Sequence, residues 1–479
     1  MDILFLTRDL PYPPTDGWKI RVFSLIQQLS RRHRVSLVSF MRTTENPDDV
    51  HGLEPYCEQI RVVPRVHWYS PWKVLLGLVG PNALPIVAYQ DRQMLDTLKS
   101  ITKGRKFDIV QAESLHMAQY ALGLPAPAVL DLHNIESTLM RRSADTQKEP
   151  FTRGYMGLTG RKLATYERAV CRRFAFCLTC SEEDRRELAS EAGVERIAVI
   201  PNGVDLQSYA SDGVLNPPAG AESPARLRQG FGGSAEAGKH ESQRRRKGEP
   251  EPSAPGSSRA RSEGALSGKT WGPAAMEEDQ PRQANRLVFV GRMDYRPNVD
   301  AVRWFSREVL PRIREQIPNA VFQIVGGHPT KAVERLAARN RIEVTGFVED
   351  VRPYLKEATA VVVPLRAGGG TRLKILEALA MGKAVVSTSV GAEGIEAVPQ
   401  RDLLIGDDPE AFASQVVRVI EDKNLRRSLG QAGRKLTEEK YGWDSIARDL
   451  ERVYENCGDL APRSRERASL IERMAEANA

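Results

Sequence analysis

The residues best suited to chemistry are concentrated in one stretch, Pro364-Leu365-Arg366-Ala367-Gly368-Gly369-Gly370-Thr371-Arg372-Leu373-Lys374-Ile375-Leu376-Glu377. An apolar, β-rich run ends at Pro364, three glycines let the backbone approach a ligand, and a helix is expected from near Thr371. The first amides of a helix have no intrahelical acceptor, so with the helix dipole they form an anion site without any side chain. Lys374 in the first turn opposes that dipole unless a bound anion compensates it. Glu377 lies three residues further along the same face. The same residues also fit a tight turn followed by a surface ion pair.

Three further strand ends carry candidates. Gly291-Arg292 follows the apolar run Leu287–Val290, and the guanidinium fork suits a diphosphate; a solvated arginine fits the pair equally. Near the N-terminus, a loop bearing several prolines and Gly17 leads into a helix with Arg21 near its start. Asp131-Leu132-His133-Asn134-Ile135-Glu136 puts His133 and Glu136 after another strand, with functional and structural roles for the histidine both open. No Asp/His cluster in the sequence argues for a metal. The first strand is followed by Leu10-Pro11-Tyr12-Pro13, not by the G-x-G-x-x-G turn of a hydride-transfer enzyme.

These loops need a scaffold, and the sequence alternates short apolar runs with amphipathic stretches. Strands are expected at Ile3–Leu6, Val35–Phe40, Ile60–Val63, Phe107–Ala112, Ala128–Leu132, Phe174–Thr179 and Ile197–Ile200. After a gap they resume at Leu287–Val290, Val321–Val325, Ile342–Thr345, Ala360–Pro364, Ala384–Thr388 and Leu403–Ile405. Helical patterns lie between, among them Val299–Arg314, Thr330–Arg339 and Thr371–Met381, and a final helix runs from Trp443 to about Asn456. This is an α/β chain of two doubly wound, Rossmann-like domains, residues 1–205 and 286–456, facing each other across a ligand cleft. Residues 206–285, rich in Gly, Pro, Ser, Ala, Arg and Glu, bury too little surface to offset their ordering entropy and read as a linker. Residues 457–479 read as a charged tail.

With 479 residues, 41% hydrophobic and 27% charged, the composition excludes wholesale disorder, a collagen and a polytopic membrane protein. Lys plus Arg number 69 against 62 acids, a net charge of +7. Part of that excess sits in the linker cluster Arg244-Arg245-Arg246-Lys247, so nucleic acid is not an expected partner. Five cysteines are too few and too odd in number for a disulfide scaffold and fit a reducing, cytoplasmic setting. Cys177 and Cys180 read as small apolar residues ending a strand. The first nine residues lack a basic leader pattern and read as a strand. Trp72–Gly80 is too short to span a bilayer; it reads first as a buried helix and second as a membrane-interface contact.

Together these residues resemble the GT-B glycosyltransferases, specifically the retaining, nucleotide-sugar-dependent family 4, over about residues 1–205 and 286–456. The resemblance is carried by Val290-Gly291-Arg292, Gly346-Phe347-Val348, the block Gly368 to Gly382, and Val199-Ile200-Pro201-Asn202-Gly203-Val204-Asp205. Asp294-Tyr295-Arg296-Pro297-Asn298 and Gly369-Gly370-Thr371-Arg372-Leu373-Lys374 look like a subgroup associated with bacterial exopolysaccharide clusters. The closing helix is similar to one that crosses back onto the first domain. The resemblance implies catalytic roles for Arg292, Lys374 and His133. It implies donor-binding roles for Gly17, Gly291, Arg296, Gly369, Gly370, Thr371, Arg372 and Glu377, the last on the nucleotide ribose. It also implies no metal and no cofactor beyond the nucleoside-diphosphate sugar, a lipid-linked or polysaccharide acceptor, and peripheral contact with the inner face of a membrane. Two positions depart from the pattern: the first Glu of E-x7-E falls on Gly369, and the phosphate lysine falls on Pro297, with Arg296 and Lys374 the available substitutes. The change at Gly369 leaves a catalytically inactive nucleotide-sugar-binding protein as the alternative.

Overall fold

The computed structural model describes residues 1–65, 70–147, 149–209, 285–338, 341–367 and 372–457. In the first lobe β1 (Asp2–Thr7), β2 (Arg34–Arg42), β3 (Gln59–Arg65), β4 (Ile109–Glu113), β5 (Ala128–Leu132), β6 (Phe176–Thr179) and β7 (Ile197–Val199) form one parallel sheet in the order β3-β2-β1-β4-β5-β6-β7. In the second, β8 (Arg286–Val290), β9 (Val321–Val325), β10 (Ile342–Val344), β11 (Ala360–Val363), β12 (Val385–Ser387) and β13 (Leu404–Ile405) pair in parallel as β10-β9-β8-β11-β12-β13. Strands such as β4, β5 and β9 are buried along their whole length, as unbroken apolar runs must be when helices cover both faces of a sheet. The strand order reverses between β1 and β4 and between β8 and β11, and there the carboxyl ends of the strands open a crevice.

The closing helix, Trp443–Cys457, lies on the first lobe as expected. Glu451 accepts from Arg32 Nε at 2.8 Å and meets His33 Nε2 at 2.9 Å, and the Tyr454 hydroxyl donates to Gln111 Oε1 on β4. The chain after β7 is clamped beneath this helix. Val204 N donates to the Tyr441 carbonyl at 2.7 Å, and a Cβ on Gly203 would lie 2.7 Å from the Trp443 ring. One apolar core therefore runs without a break from Phe5 through Val204 and Trp443 to Phe289.

Several expectations need correction. The helix from Trp72 forms at Pro71–Val79 but is not buried: Gly77 is its only buried residue, and Trp72 is 66% exposed. Its apolar sequence on all sides suggested burial, yet it packs along one edge only. The stretch 299–314 starts earlier, at Arg296, because proline is tolerated in a first turn. It then widens into a π-turn at Phe305–Val309 before Leu310–Gln316; Pro311 has no N–H to donate one turn back and its ring crowds that turn. The helix expected at 330–339 shrinks to Lys331–Glu334, and Pro409–Glu421 and Lys423–Lys440 are two helices that went unremarked. Residues 206–209 of the expected linker are packed against the second lobe, where Arg352 donates to the Ser208 carbonyl at 3.0 Å and Arg434 to the Tyr209 carbonyl at 3.1 Å, and Cys457 is the last residue of the closing helix. Residues 210–284 of the expected linker and 458–479 lie outside the described residues. All five cysteines are buried free thiols, and Cys177 and Cys180 occupy the end of β6 as small apolar residues.

Candidate functional site

On the second lobe, the end of β8 and the starts of two helices converge. Lys374 Nζ, in the first turn of the helix Leu373–Ala380, donates to Asn298 Oδ1 at 2.9 Å and sits 4.0 Å from the centre of the Phe289 ring. Asn298 Nδ2 in turn donates to the Arg292 carbonyl at 2.9 Å. Gly291 lies beneath this pair, where a Cβ would come 2.7 Å from Asn298 Nδ2 and 2.9 Å from Lys374 Nζ. Arg292 itself is half exposed and forms a two-pronged pair with Asp294, at 3.1 and 2.6 Å. That pairing raises the Arg292 pKa and lowers that of Asp294, and Asp16 of the first lobe adds to the effect on Arg292.

Glu377 is buried on the same helix, 5% exposed. Arg372 precedes that helix and points elsewhere: its guanidinium donates to the Val390 carbonyl at 3.4 Å and lies 3.9 Å from Glu393, whose charge opposes the lowering of its pKa by burial. Arg296 is exposed at the first residue of its helix. Gly369, Gly370 and Thr371 lie outside the described residues.

On the first lobe, the helix Gly17–Leu29 is capped by Asp16, whose side chain accepts from Lys19 N at 3.2 Å. A cavity of about 240 Å³ opens beside it, lined among others by Arg8, Trp18, Ser114, His133 and Glu136. His133 Nε2 meets Glu113 Oε2 at 2.9 Å, and Glu113 Oε1 accepts from Gln111 Nε2 at 2.6 Å. Since Tyr454 donates to Gln111, one buried chain joins the closing helix to the cavity histidine. Burial pushes the Glu113 carboxyl up, Asp131 adds to this, and the bond to His133 opposes it. Burial likewise raises Glu136.

Two neighbouring strand ends bring together acidic groups and a histidine that are distant in sequence. Atoms of Glu113, Asp131 and His133 lie within 4.8 Å of one another, because β4 and β5 are neighbours and end side by side. Asp131 is held by a two-pronged pair with Arg21, at 2.8 and 3.2 Å. Arg21 is buried and also donates to the Pro201 carbonyl at 3.0 Å, so it braces the turn after β7 rather than facing the cleft.

Across the cleft the two helix starts approach each other. A Cβ on Gly17 would lie 3.7 Å from Leu373 Cδ1, and Arg142 of the first lobe lies 3.9 Å from Glu393 of the second. Asn298, Asp294, Glu113 and Asp16 were missed as site residues. A signal existed for two of them: an asparagine on the apolar face of a helix is unfavourable without a partner, and a glutamate ending a strand of buried residues needs one too.

Residues 15–208 match the profile of Glycosyltransferase Family 4, and residues 284–422 that of Glycosyl transferases group 1. The chain thus carries a domain of the Glycosyltransferase Family 4 type followed by one of the Glycosyl transferases group 1 type. A glycosyltransferase of Methanocaldococcus jannaschii, described as uncharacterized, is 29% identical to this chain over 179 residues, 35% of this chain and 44% of the relative. The match thus spans less than half of that relative. Among solved structures, sucrose-phosphate synthase from Thermosynechococcus elongatus superposes with a TM-score of 0.59 at 16% identity, covering 95% of this chain and 98% of the other. HepE of Anabaena, solved in complex with UDP, gives 0.57 at 15% identity, with coverage of 95% and 100%. The fold of the chain is accordingly GT-B. Among the described residues no helix is long and apolar enough to cross a membrane.

Proposed function

We propose that the protein transfers a sugar from a nucleoside-diphosphate sugar to a hydroxyl of a lipid-linked or polysaccharide acceptor, with retention of the anomeric configuration, at the inner face of a membrane. The observation that carries this reading is the placement of Lys374 at the strand end that also bears Arg292: Asn298 aims Lys374 over Gly291 and is itself held by the Arg292 carbonyl. The barrier is departure of the diphosphate from a carbon gaining oxocarbenium character. Fixed positive charge where negative charge develops lowers it without reorganisation at the moment of reaction. The bond from C1 to the diphosphate oxygen breaks with its electron pair leaving on the diphosphate. The acceptor oxygen bonds to C1 on the same face, and its proton passes to the departing phosphate. Arg292 and Lys374 bind the diphosphate, Gly291 and the Gly369–Thr371 loop let it approach, and Glu377 takes the ribose. Arg296 adds charge at the rim, where it substitutes for the family lysine replaced by Pro297. His133, in the first-lobe cavity, hydrogen-bonds the reacting sugar, with Glu113 as its positioning residue. Closure of the lobes excludes water and suppresses hydrolysis. The UDP bound in HepE makes UDP-sugars the first donors to try.

A thermal-shift screen with UDP-, GDP-, ADP- and dTDP-sugars tests the donor assignment, since a ligand that binds only the native state raises stability. One donor class is expected to raise the melting temperature, and nucleoside diphosphate should then be released when a lipid-linked acceptor is supplied. A shift without release across an acceptor panel would instead establish an inactive nucleotide-sugar-binding protein. No shift with any donor would remove the reading altogether.

A further inference from the structure

Exposed apolar side chains are gathered on one part of the first lobe. Among the described residues, twelve large apolar side chains are exposed, and eight of them lie on the helices Pro71–Val79, Glu136–Thr146 and Pro150–Cys171. Phe151 is 89% exposed, Val79 75% and Trp72 66%. Isolated exposed apolar residues need no explanation, but a concentration of this kind marks an interaction surface.

The helices are joined. The Glu136 and Pro150 helices pack as a hairpin, with Ser137 bonded to Glu167. Lys162 Nζ donates to the carbonyls of Gly77 and Leu78 at 2.8 and 2.7 Å, which fastens the end of the Pro71 helix to the hairpin. Phe151, Tyr155 and Leu158 precede Lys162 at spacings of four and three residues and so share its face. On the Pro150 helix the one carboxylate, Glu167, is turned inward, while Arg153, Arg161 and Arg168 are exposed. The apolar surface also reaches the cavity rim: Glu136 lines the cavity, and Leu139, one turn further along the same helix, is exposed.

We propose that this face docks on an anionic lipid bilayer and brings the first-lobe cavity to the bilayer surface, where an acceptor with a lipid tail is presented. Aromatic and aliphatic side chains enter the headgroup boundary while flanking arginines pair with anionic headgroups. The charge of the helix selects this occupant. Within Pro150–Cys171 every exposed charge is cationic, and these arginines outnumber the exposed Asp145 and Glu149 beside them; such a helix complements an anionic surface, and its continuity with the cavity gives the lipid tail a place to lie. The inference builds on the proposed lipid-linked acceptor, but its test needs no transfer, so the two readings fail separately.

The test is flotation of the full chain with vesicles of phosphatidylglycerol and phosphatidylethanolamine, or of phosphatidylcholine alone, at low and high salt. Binding to the anionic vesicles is expected to be about tenfold tighter or more, and to weaken with salt. The combined variant Trp72→Ser, Phe151→Ser, Tyr155→Ser and the variant Arg153→Glu, Arg161→Glu should each lose about tenfold or more in vesicle affinity. Their melting temperatures and donor-induced shifts should match those of the unaltered protein. Absence of binding to anionic vesicles would overturn the proposal, as would variants that bind like the unaltered chain. So would sedimentation showing a lipid-free dimer that the triple substitution dissociates, because a second copy would then cover the face.

Discussion

The Glu113 carboxylate and the His133 ring meet at 2.9 Å at the ends of adjacent parallel strands, one fully buried and the other at the cavity wall. A carboxylate accepting from Nε2 leaves Nδ1 as the other polar atom of the ring, so the buried residue sets which nitrogen is offered to a ligand. Replacing His133 by Ala should lower kcat/KM by about 10²-fold, the scale of one lost preorganised hydrogen bond. Glu113→Gln should cost less, about tenfold, mostly in kcat, and should shift the pH dependence of kcat/KM. A pH profile identical to that of the unaltered enzyme would assign Glu113 a purely structural role.

Arg292 and Lys374 act on the same diphosphate in the proposed mechanism. Arg292→Ala and Lys374→Ala should each reduce kcat/KM by about 10²–10³. Asn298→Ala keeps both charges but releases Lys374 from its 2.9 Å bond, and a smaller loss is expected. Steady-state kinetics with the donor found in the thermal screen checks all three, and unchanged values in both cation variants would refute the phosphate assignment.

Gly203→Val should destabilise the whole fold. Its side chain would enter space already occupied by the Trp443 ring and Ile446, and overpacking of this kind costs about 1–3 kcal/mol. Differential scanning calorimetry should show a lower melting temperature, and an unchanged one would mean that the closing helix yields readily.

Stability should also depend on pH through Glu167. Burial pushes this carboxyl up from 4.5 to about 7, against the bonds it receives from Ser137. The unfolded chain releases the proton near its ordinary value, whereas the folded chain holds it until about 7. Between those values the native state binds more protons, so stability falls as pH rises, by about 3 kcal/mol in total. Glu167→Gln should flatten this slope, and melting curves from about pH 4.5 to 8 compare the two proteins. Parallel slopes would show that the Glu167 carboxyl titrates near its ordinary value.

How much could be read in advance varies with the range of the interaction. β5 and β9 form over the spans expected, Ala128–Leu132 and Val321–Val325, because a strand buried on both faces must be written as a continuous apolar run. The places of Gly291 and Arg292 were legible because both follow β8 directly, and that of Lys374 because a run of glycines after β11 announces the start of its helix. The bond from Lys374 to Asn298 was not, since 76 positions separate them and only the neighbouring of β8 and β11 brings them together. Arg21 shows the converse: its place near a Pro-rich loop suggested the cleft, but Asp131, distant in sequence, draws it inward. The Pro71–Val79 helix was misread because composition cannot say whether an apolar surface meets protein or something else.

Because every native thiol is sequestered in the interior, the molecule comes ready for site-specific labelling. Cysteines placed at exposed Arg296 and Leu139 would be the reactive pair, and a dye on each would report the distance between lobes as donor and acceptor come and go.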